Sequence, residues 1–224
     1  MCGNPGVKKT FEKAQQHFYW KNMFNHIVDF VISCESCQVT KPPAPSTLPS
    51  VRYLQRPQPT RAWQIVSTDV LHLPSSKSSK KYVVIFVDLF TCYPEAFAML
   101  HANGTTIGTH FIKDDICRHG CPSQVLCDNA SYNVKGYFNE LCQKFTIHLS
   151  PVSAYHPEAN GVAESKVKAL KSLLRYLVKE HDDWEQRLLE ALFAYRATFN
   201  PTVSASPFLL NRGREPVFPN KIQS

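Results

Sequence analysis

Ser153-Ala-Tyr-His-Pro-Glu-Ala-Asn-Gly-Val-Ala-Glu164, running on through Lys166–Lys179, is the stretch on which the reading of the chain turns. Pro157 bars helix before it, Asn160 and Gly161 are good starting residues, and Leu170, Leu173, Leu174 and Leu177 recur at helical spacing. A loop feeding a helix is predicted. On that helix Glu164, Lys168, Lys171 and Arg175 stand at i, i+4, i+7 and i+11 and share one face, while Val167, Leu170, Leu174 and Leu177 make a second, apolar stripe. A single acid next to the loop thus heads a row of three cations, and the stripe anchors the helix to a core. Read alone, the same face is a solvated Glu164–Lys168 pair worth ~0.3 kcal/mol.

Working outward, Trp63–Leu71 and Tyr82–Leu89 read as strands, being rich in β-branched and aromatic residues and split by the Ser/Lys turn Pro74–Lys81. Cys92–Leu100 is a third strand candidate, Thr105–Arg118 a helix, Gln124–Cys127 a short strand, Gly136–Lys144 a helix and Thr146–Leu149 a further strand. A helix over Trp184–Thr198 follows the central one. Three strands in a meander and then strand–helix alternation predict a mixed sheet with helices packed against it, an α/β architecture. Ahead of it, Val7–Trp20 and Asn22–Ser33 have helical periodicity and lead into Cys34-x-x-Cys37, which has metal-ligand spacing. The expected division is a helical module over 1–41, a Pro-rich linker over 42–56 and a larger domain over 57–216.

Composition narrows the function classes. The 224 residues allow one full core and a small satellite module, and a net charge of +7 suits a polyanionic partner. The longest apolar run, Tyr82–Phe90, contains Asp88 and is far too short to cross a bilayer. With no charged-then-apolar segment at Met1, an intracellular protein is expected, its cysteines mostly reduced. No Ser/His/Asp or Cys/His nucleophile set and no phosphate-cradling Gly-rich loop is present.

Carboxylates carry the chemical signal. Asp69 falls near the end of the first predicted strand, Asp128 directly after the fourth, and Glu164 in the first turn of the helix after the loop. Three acids from three elements can converge at one edge of an open sheet and hold hard divalent cations through oxygen. Two such ions would clamp the attacking and leaving oxygens of an in-line phosphoryl transfer. The Asp128-x35-Glu164 interval alone is weak evidence, since chance supplies such a pair in roughly one chain in three of this composition. Asp88, Asp114 and Asp115 are rival ligands; for Asp88 a structural role is expected.

Trp63-x-x-Val66-x-Thr68-Asp69, Val84-Ile-Phe-Val-Asp88, Val125-Leu-Cys-Asp128-Asn129 and Tyr155-His-Pro157 with Asn160-Gly161 and Glu164 resemble the catalytic core of the retroviral and gypsy-type retrotransposon integrases. Trp184, Ala194-Tyr-Arg196, Ser206-Pro-Phe208 and Gly213-Arg214 are similar to the end of gypsy-type cores. Gly3-Asn-Pro-Gly-Val-Lys-Lys-Thr10, Phe18-Tyr-Trp20, Met23, Cys34-x-x-Cys37-Gln and Lys41 resemble the N-terminal zinc module of the same family. The resemblance implies a ribonuclease H-like fold with a mixed five-stranded sheet flanked by helices, preceded by the small helical module. It also implies Asp69, Asp128 and Glu164 as the catalytic triad binding two Mg²⁺ or Mn²⁺ ions, and cleavage and joining of DNA strands, with the nucleus as the site of action. Lys168 and Lys171 match positions that approach the element's own DNA end; Arg175, Tyr155, His156 and Asn160 complete the expected DNA contacts, and a homo-oligomer on DNA is the expected assembly.

Departures from the family pattern are concrete. The zinc module uses two His and two Cys, but here Asn4 stands at the second His and the first would precede Met1, so Cys34 and Cys37 alone leave a Zn²⁺ site incomplete. His17, His26 and Cys2 are the available substitutes. Ala130-Ser-Tyr-Asn133 replaces the usual Gly and Gln-Phe after the second acid, and Glu158 replaces a Gln in the loop. The chain stops at Ser224 without the basic domain that integrases carry after the core, so a fragment or decayed copy is expected. Rival readings are a ribonuclease H-like nuclease that hydrolyses without joining, and a domesticated core that binds nucleic acid or a partner without catalysis.

Overall fold

The computed structural model describes residues 6–15, 17–34, 58–128, 136–152, 168, 170–176, 178 and 183–218. Five strands form one sheet in the order β3-β2-β1-β4-β5: β1 Ile65–His72, β2 Tyr82–Asp88, β3 Pro94–Met99, β4 Gln124–Asp128 and β5 His148–Val152. The first three pair antiparallel as a meander, whereas β4 runs parallel to β1 and β5 parallel to β4. This is the mixed sheet that the strand and helix pattern predicts. Among the described residues no helix is long and apolar enough to cross a membrane.

Three strands start later than their apolar residues suggest, for one shared reason. Trp63, Cys92 and Thr146 each take a left-handed backbone, with φ of 59°, 60° and 59°. A side-chain-bearing residue in that conformation turns the chain and cannot continue an extended ladder. β1 therefore begins at Ile65 rather than Trp63, β3 at Pro94 rather than Cys92, and β5 at His148 rather than Thr146, while β5 runs on to Val152.

Alternation along the strands divides the core into two layers. Leu71, Val83, Ile85, Val87 and Ala96 face one side, where they bury Leu170, Leu174, Trp184, Leu188 and Leu192. Trp184–Arg196 is the helix α5, and 168, 170–176 and 178 are the described residues of the central helix. Leu170 and Leu174, the heart of the predicted stripe, are fully buried; Val167 and Leu177 lie outside the described residues. Val66, Val84 and Phe86 face the other side against Ile107, Phe111, Phe138 and Leu141. Those come from α3 Gly104–His110, the segment that follows it, and α4 Tyr137–Lys144.

The predicted single helix Thr105–Arg118 is corrected: α3 gives way to a π-helical segment, Phe111–Ile116, before one last turn, Cys117–His119. The wider turn brings both Asp114 and Asp115 under cover. Asp114 is paired, with His110 Nδ1 at 2.9 Å and Arg118 Nη2 at 3.1 Å. Asp115 is wholly buried, and neither carboxyl oxygen has a hydrogen-bond partner among the described residues. Burial, and after it the Glu95 and Asp88 carboxylates, push its pKa up to about 8.

The turn between β1 and β2 is bound to α5. Glu185 accepts from Lys80 Nζ at 2.6 Å, from Ser78 Oγ, and from Ser76 Oγ at 2.8 Å, while Trp184 Nε1 donates to the Pro74 carbonyl at 2.9 Å. Hydrogen bonds from Lys80 and then Ser78 hold the Glu185 carboxyl at about 2. In the N-terminal module, α1 Val7–Gln15 and α2 Met23–Ile32 pack Val7, Phe11 and Ala14 on Met23, Ile27 and Val31. α1 ends at Gln15, short of the predicted Trp20.

Asp115 should tilt stability with pH. Its ordinary value is 3.8 and its folded value about 8, so between these the unfolded chain has released a proton that the folded one keeps. This group's contribution to stability must fall as pH rises through that window and level off above it. Asp115→Asn should remove the slope and raise stability at neutral pH by on the order of 1–3 kcal/mol, read from denaturant unfolding at pH 5, 7 and 9.

Candidate active site

Strand pairing positions the first two predicted acids. The β1–β4 ladder matches Val66 with Val125 and Ser67 with Leu126, and the same register continued two residues past its last pair aligns Asp69 with Asp128. Side-chain alternation puts both on one face. Asp69 has the parity of Leu71, which faces the central helix, and Asp128 has the parity opposite to Val125, which faces α3 and α4. Asp128 is the last residue of β4, exposed at the strand's end, where sites on open sheets collect. Two carboxylates so placed are hard oxygen donors and fit a divalent cation. Glu164 lies outside the described residues, as do Tyr155, His156, Asn160 and Cys37.

The cation row meets this face. Lys171 Nζ forms an ion pair with Asp69 Oδ2, and Asp69 Oδ1 accepts from the Val70 N–H at 2.8 Å. Lys168 and Arg175 are exposed. The residue missed by sequence reasoning is Lys171 as a partner of Asp69, since spacing along a helix gives no sign of which strand its side chain reaches. Parity along β1 and the burial of Leu170 and Leu174 were the signals available.

Asp88 sits at the other end of the sheet, opposite Val66, and its carboxylate is fully occupied. Oδ1 accepts from the N–H groups of Trp63 at 3.0 Å and Phe90 at 3.2 Å; Oδ2 accepts from the Thr91 N–H at 2.9 Å and hydroxyl at 2.6 Å. It closes the turn that the left-handed Cys92 makes. Around it, His119 stacks on Trp63 at 3.7 Å and 6°, with Nε2 at 3.1 Å from Glu95. The His119 side chain is therefore buried and serves packing. Burial disfavours the Glu95 carboxylate, but His119, Arg196 and Arg118 together hold its pKa below the ordinary range. Arg196 also donates to the Pro94 carbonyl at 2.7 Å, and Trp63 Nε1 to Asn211 at 2.6 Å. The motif residues of the tail thus tie α5 and α6 Pro207–Arg212 to the sheet: Ser206 caps α6, and Gly213 ends it at φ 71°.

In the N-terminal module Cys34 is half-buried, His17 is exposed, and His26 Nδ1 accepts from Trp20 Nε1 at 3.0 Å. Among the described residues no three His, Cys, Asp or Glu side chains stand together as a metal site.

Removing Asp88 and removing Asp69 should differ sharply. Asp88→Ala leaves several buried donors without an acceptor and should cost about 2–4 kcal/mol. Asp69→Asn keeps an acceptor for the Val70 N–H and weakens one part-buried ion pair, so it should change stability by only about 1 kcal/mol. Thermal melts of the two variants make the comparison.

Residues 1–43 match the integrase zinc-binding domain family and residues 59–157 the integrase core domain family. A retrovirus-related Pol polyprotein from transposon 412 of Drosophila melanogaster is 25% identical over 99% of this chain, and the chain spans 18% of that protein. Gypsy retrotransposon integrase-like protein 1 of Bos taurus is 24% identical over 96% of the chain, which spans 42% of it. Among solved structures, the catalytic core domain of BIV integrase superposes with a TM-score of 0.54 at 17% identity, over 66% of this chain and 93% of that one. A chain of the simian T-cell lymphotropic virus intasome in complex with PP2A regulatory subunit B56 gamma gives 0.60 at 17% identity, over 99% of this chain and 80% of that one. At such identity the structural likeness establishes the fold, the ribonuclease H-like integrase core. With stretches that match an integrase zinc-binding domain and an integrase core domain in series, the chain carries the two domains of an integrase, and its relatives are retrotransposon and retroviral Pol polyproteins and gypsy integrase-like proteins.

Proposed function

We propose that this chain trims the 3′ ends of an element's DNA and joins them to target DNA, by metal-dependent phosphoryl transfer in the nucleus. What supports this reading is the parallel β1–β4 register, Val66 with Val125 and Ser67 with Leu126, which carried on by two residues aligns Asp69 with Asp128 on one face of the sheet. Asp69, Asp128 and Glu164 would hold Mg²⁺ or Mn²⁺, which when bound stabilise charge on the attacking and leaving oxygens. A solved HTLV-2 integrase catalytic core in complex with magnesium, 18% identical, supports that choice of ion. Lys168 and Arg175, exposed on the central helix, would hold the DNA backbone and fix the strand's direction across the acids without reading sequence. We read 1–41 as the zinc-module-like unit, 42–56 as linker and 57–216 as the core, acting as a homo-oligomer on DNA.

Asp128→Asn weakens a metal ligand and leaves the cations in place, so strand transfer should be lost while DNA affinity measured without Mn²⁺ stays within about twofold. Hydrolysis by the parent chain with no joined product would point instead to a nuclease. Each phosphate contact contributes about −0.9 to the slope of log affinity against log salt, so Lys168→Gln with Arg175→Gln should flatten the slope by about 2 units. An unchanged slope would leave those two residues as solvated surface. Both measurements use a blunt duplex DNA, the first with Mn²⁺ and a labelled end, the second over a range of salt concentrations.

A further inference from the structure

We propose that Lys171 couples cation binding to DNA binding: it pairs with Asp69 until a divalent cation displaces it, and it then takes a DNA phosphate. This rests on Asp69 being a metal ligand. The Asp69 carboxylate has a partner on each oxygen, the Val70 N–H on Oδ1 and the Lys171 ammonium on Oδ2. An ammonium and a divalent cation sharing Oδ2 would stand within a few ångströms of each other, with both Asp69 and Lys171 about three-quarters buried, at 24% and 26% side-chain exposure. Repulsion between them is poorly screened there. One must leave, and the mobile one is Lys171.

Its backbone cannot move, because Leu170 and Leu174 on either side are fully buried against Leu71, Val83 and Ile85. Its ammonium can, since it ends a flexible four-carbon stem and rotation of side-chain torsions alone removes it from Asp69. The face it swings to already carries exposed Lys168 and Arg175 at helical spacing. A phosphate reaching Lys171 before the cation must break the ion pair, and so must a cation arriving before DNA. When both bind, the pair is broken once for two ligands. Each ligand therefore tightens the other by the same factor.

The test uses the full chain with Mn²⁺ alone and then with a blunt DNA duplex. Calorimetric titration should show Lys171→Met binding Mn²⁺ ~3- to 5-fold more tightly than the parent, the worth of a part-buried ion pair. Lys113→Met removes an exposed charge from the π-helical segment on the other face of the sheet, away from the acids, and should bind Mn²⁺ as the parent does. In anisotropy titrations read before turnover, the factor by which Mn²⁺ tightens DNA should fall toward one in Lys171→Met and persist in Lys113→Met. Equal changes in the two variants, or a coupling factor that survives Lys171→Met, would overturn the proposal while leaving Asp69 a metal ligand. Mn²⁺ binding that Asp69→Asn leaves untouched would remove the metal role of Asp69, and the coupling with it.

Discussion

Parallel pairing of β1 with β4 is the constraint on which the rest depends. It sets two carboxylates from distant parts of the chain on one face, where their like charges oppose each other unless a cation lies close. The helix that covers this face is anchored by Leu170 and Leu174 and brings an ammonium to Asp69. The same apolar stripe that stabilises the core thus fixes where positive charge stands at the site. Packing and electrostatics are joined through one helix, whose inner face is oil and whose outer face is cationic.

The opposite end of the sheet concentrates polar interactions of another kind. Asp88, Glu95, His119 and Arg196 are enclosed and bonded, and they fasten the β2–β3 turn and α5 to each other. Acids here are enclosed among several partners, whereas Asp69 is a quarter exposed beside one lysine and Asp128 lies at an exposed strand end. That contrast separates acids that hold the fold from acids suited to a ligand. Asp115 belongs to neither group, being buried in a π-helical turn beside two carboxylates with no hydrogen-bond partner among the described residues.

The N-terminal module has a different balance. Met23, Ile27 and Val31 make a small core with Phe11 and Val7, while Phe18, Tyr19, Phe24 and Phe30 remain exposed. Two short helices bury too little apolar surface to be stable unaided, which is the physical reason a metal staple is expected in this kind of unit. Cys34 is half-buried just past the end of α2, and His26 accepts a hydrogen bond from Trp20.

Sequence alone determined the class of most of the described elements, because strand and helix follow from local periodicity: the meander, the helix over 184–196 and the buried Leu170 and Leu174 were all legible. The candidate acids were legible too, through motif spacing. Three strand starts and the π-helical turn were not, since left-handed backbone at Trp63, Cys92 and Thr146 is imposed by turn closure and not by residue type. Only the tertiary structure decided that Asp69 and Asp128 share a face, that Lys171 reaches Asp69, and that Asp88, Glu95 and His119 form a buried network. Those facts depend on strand register and on which helix lies over which strand. Register is a long-range choice made by packing, and no window of neighbouring residues contains it.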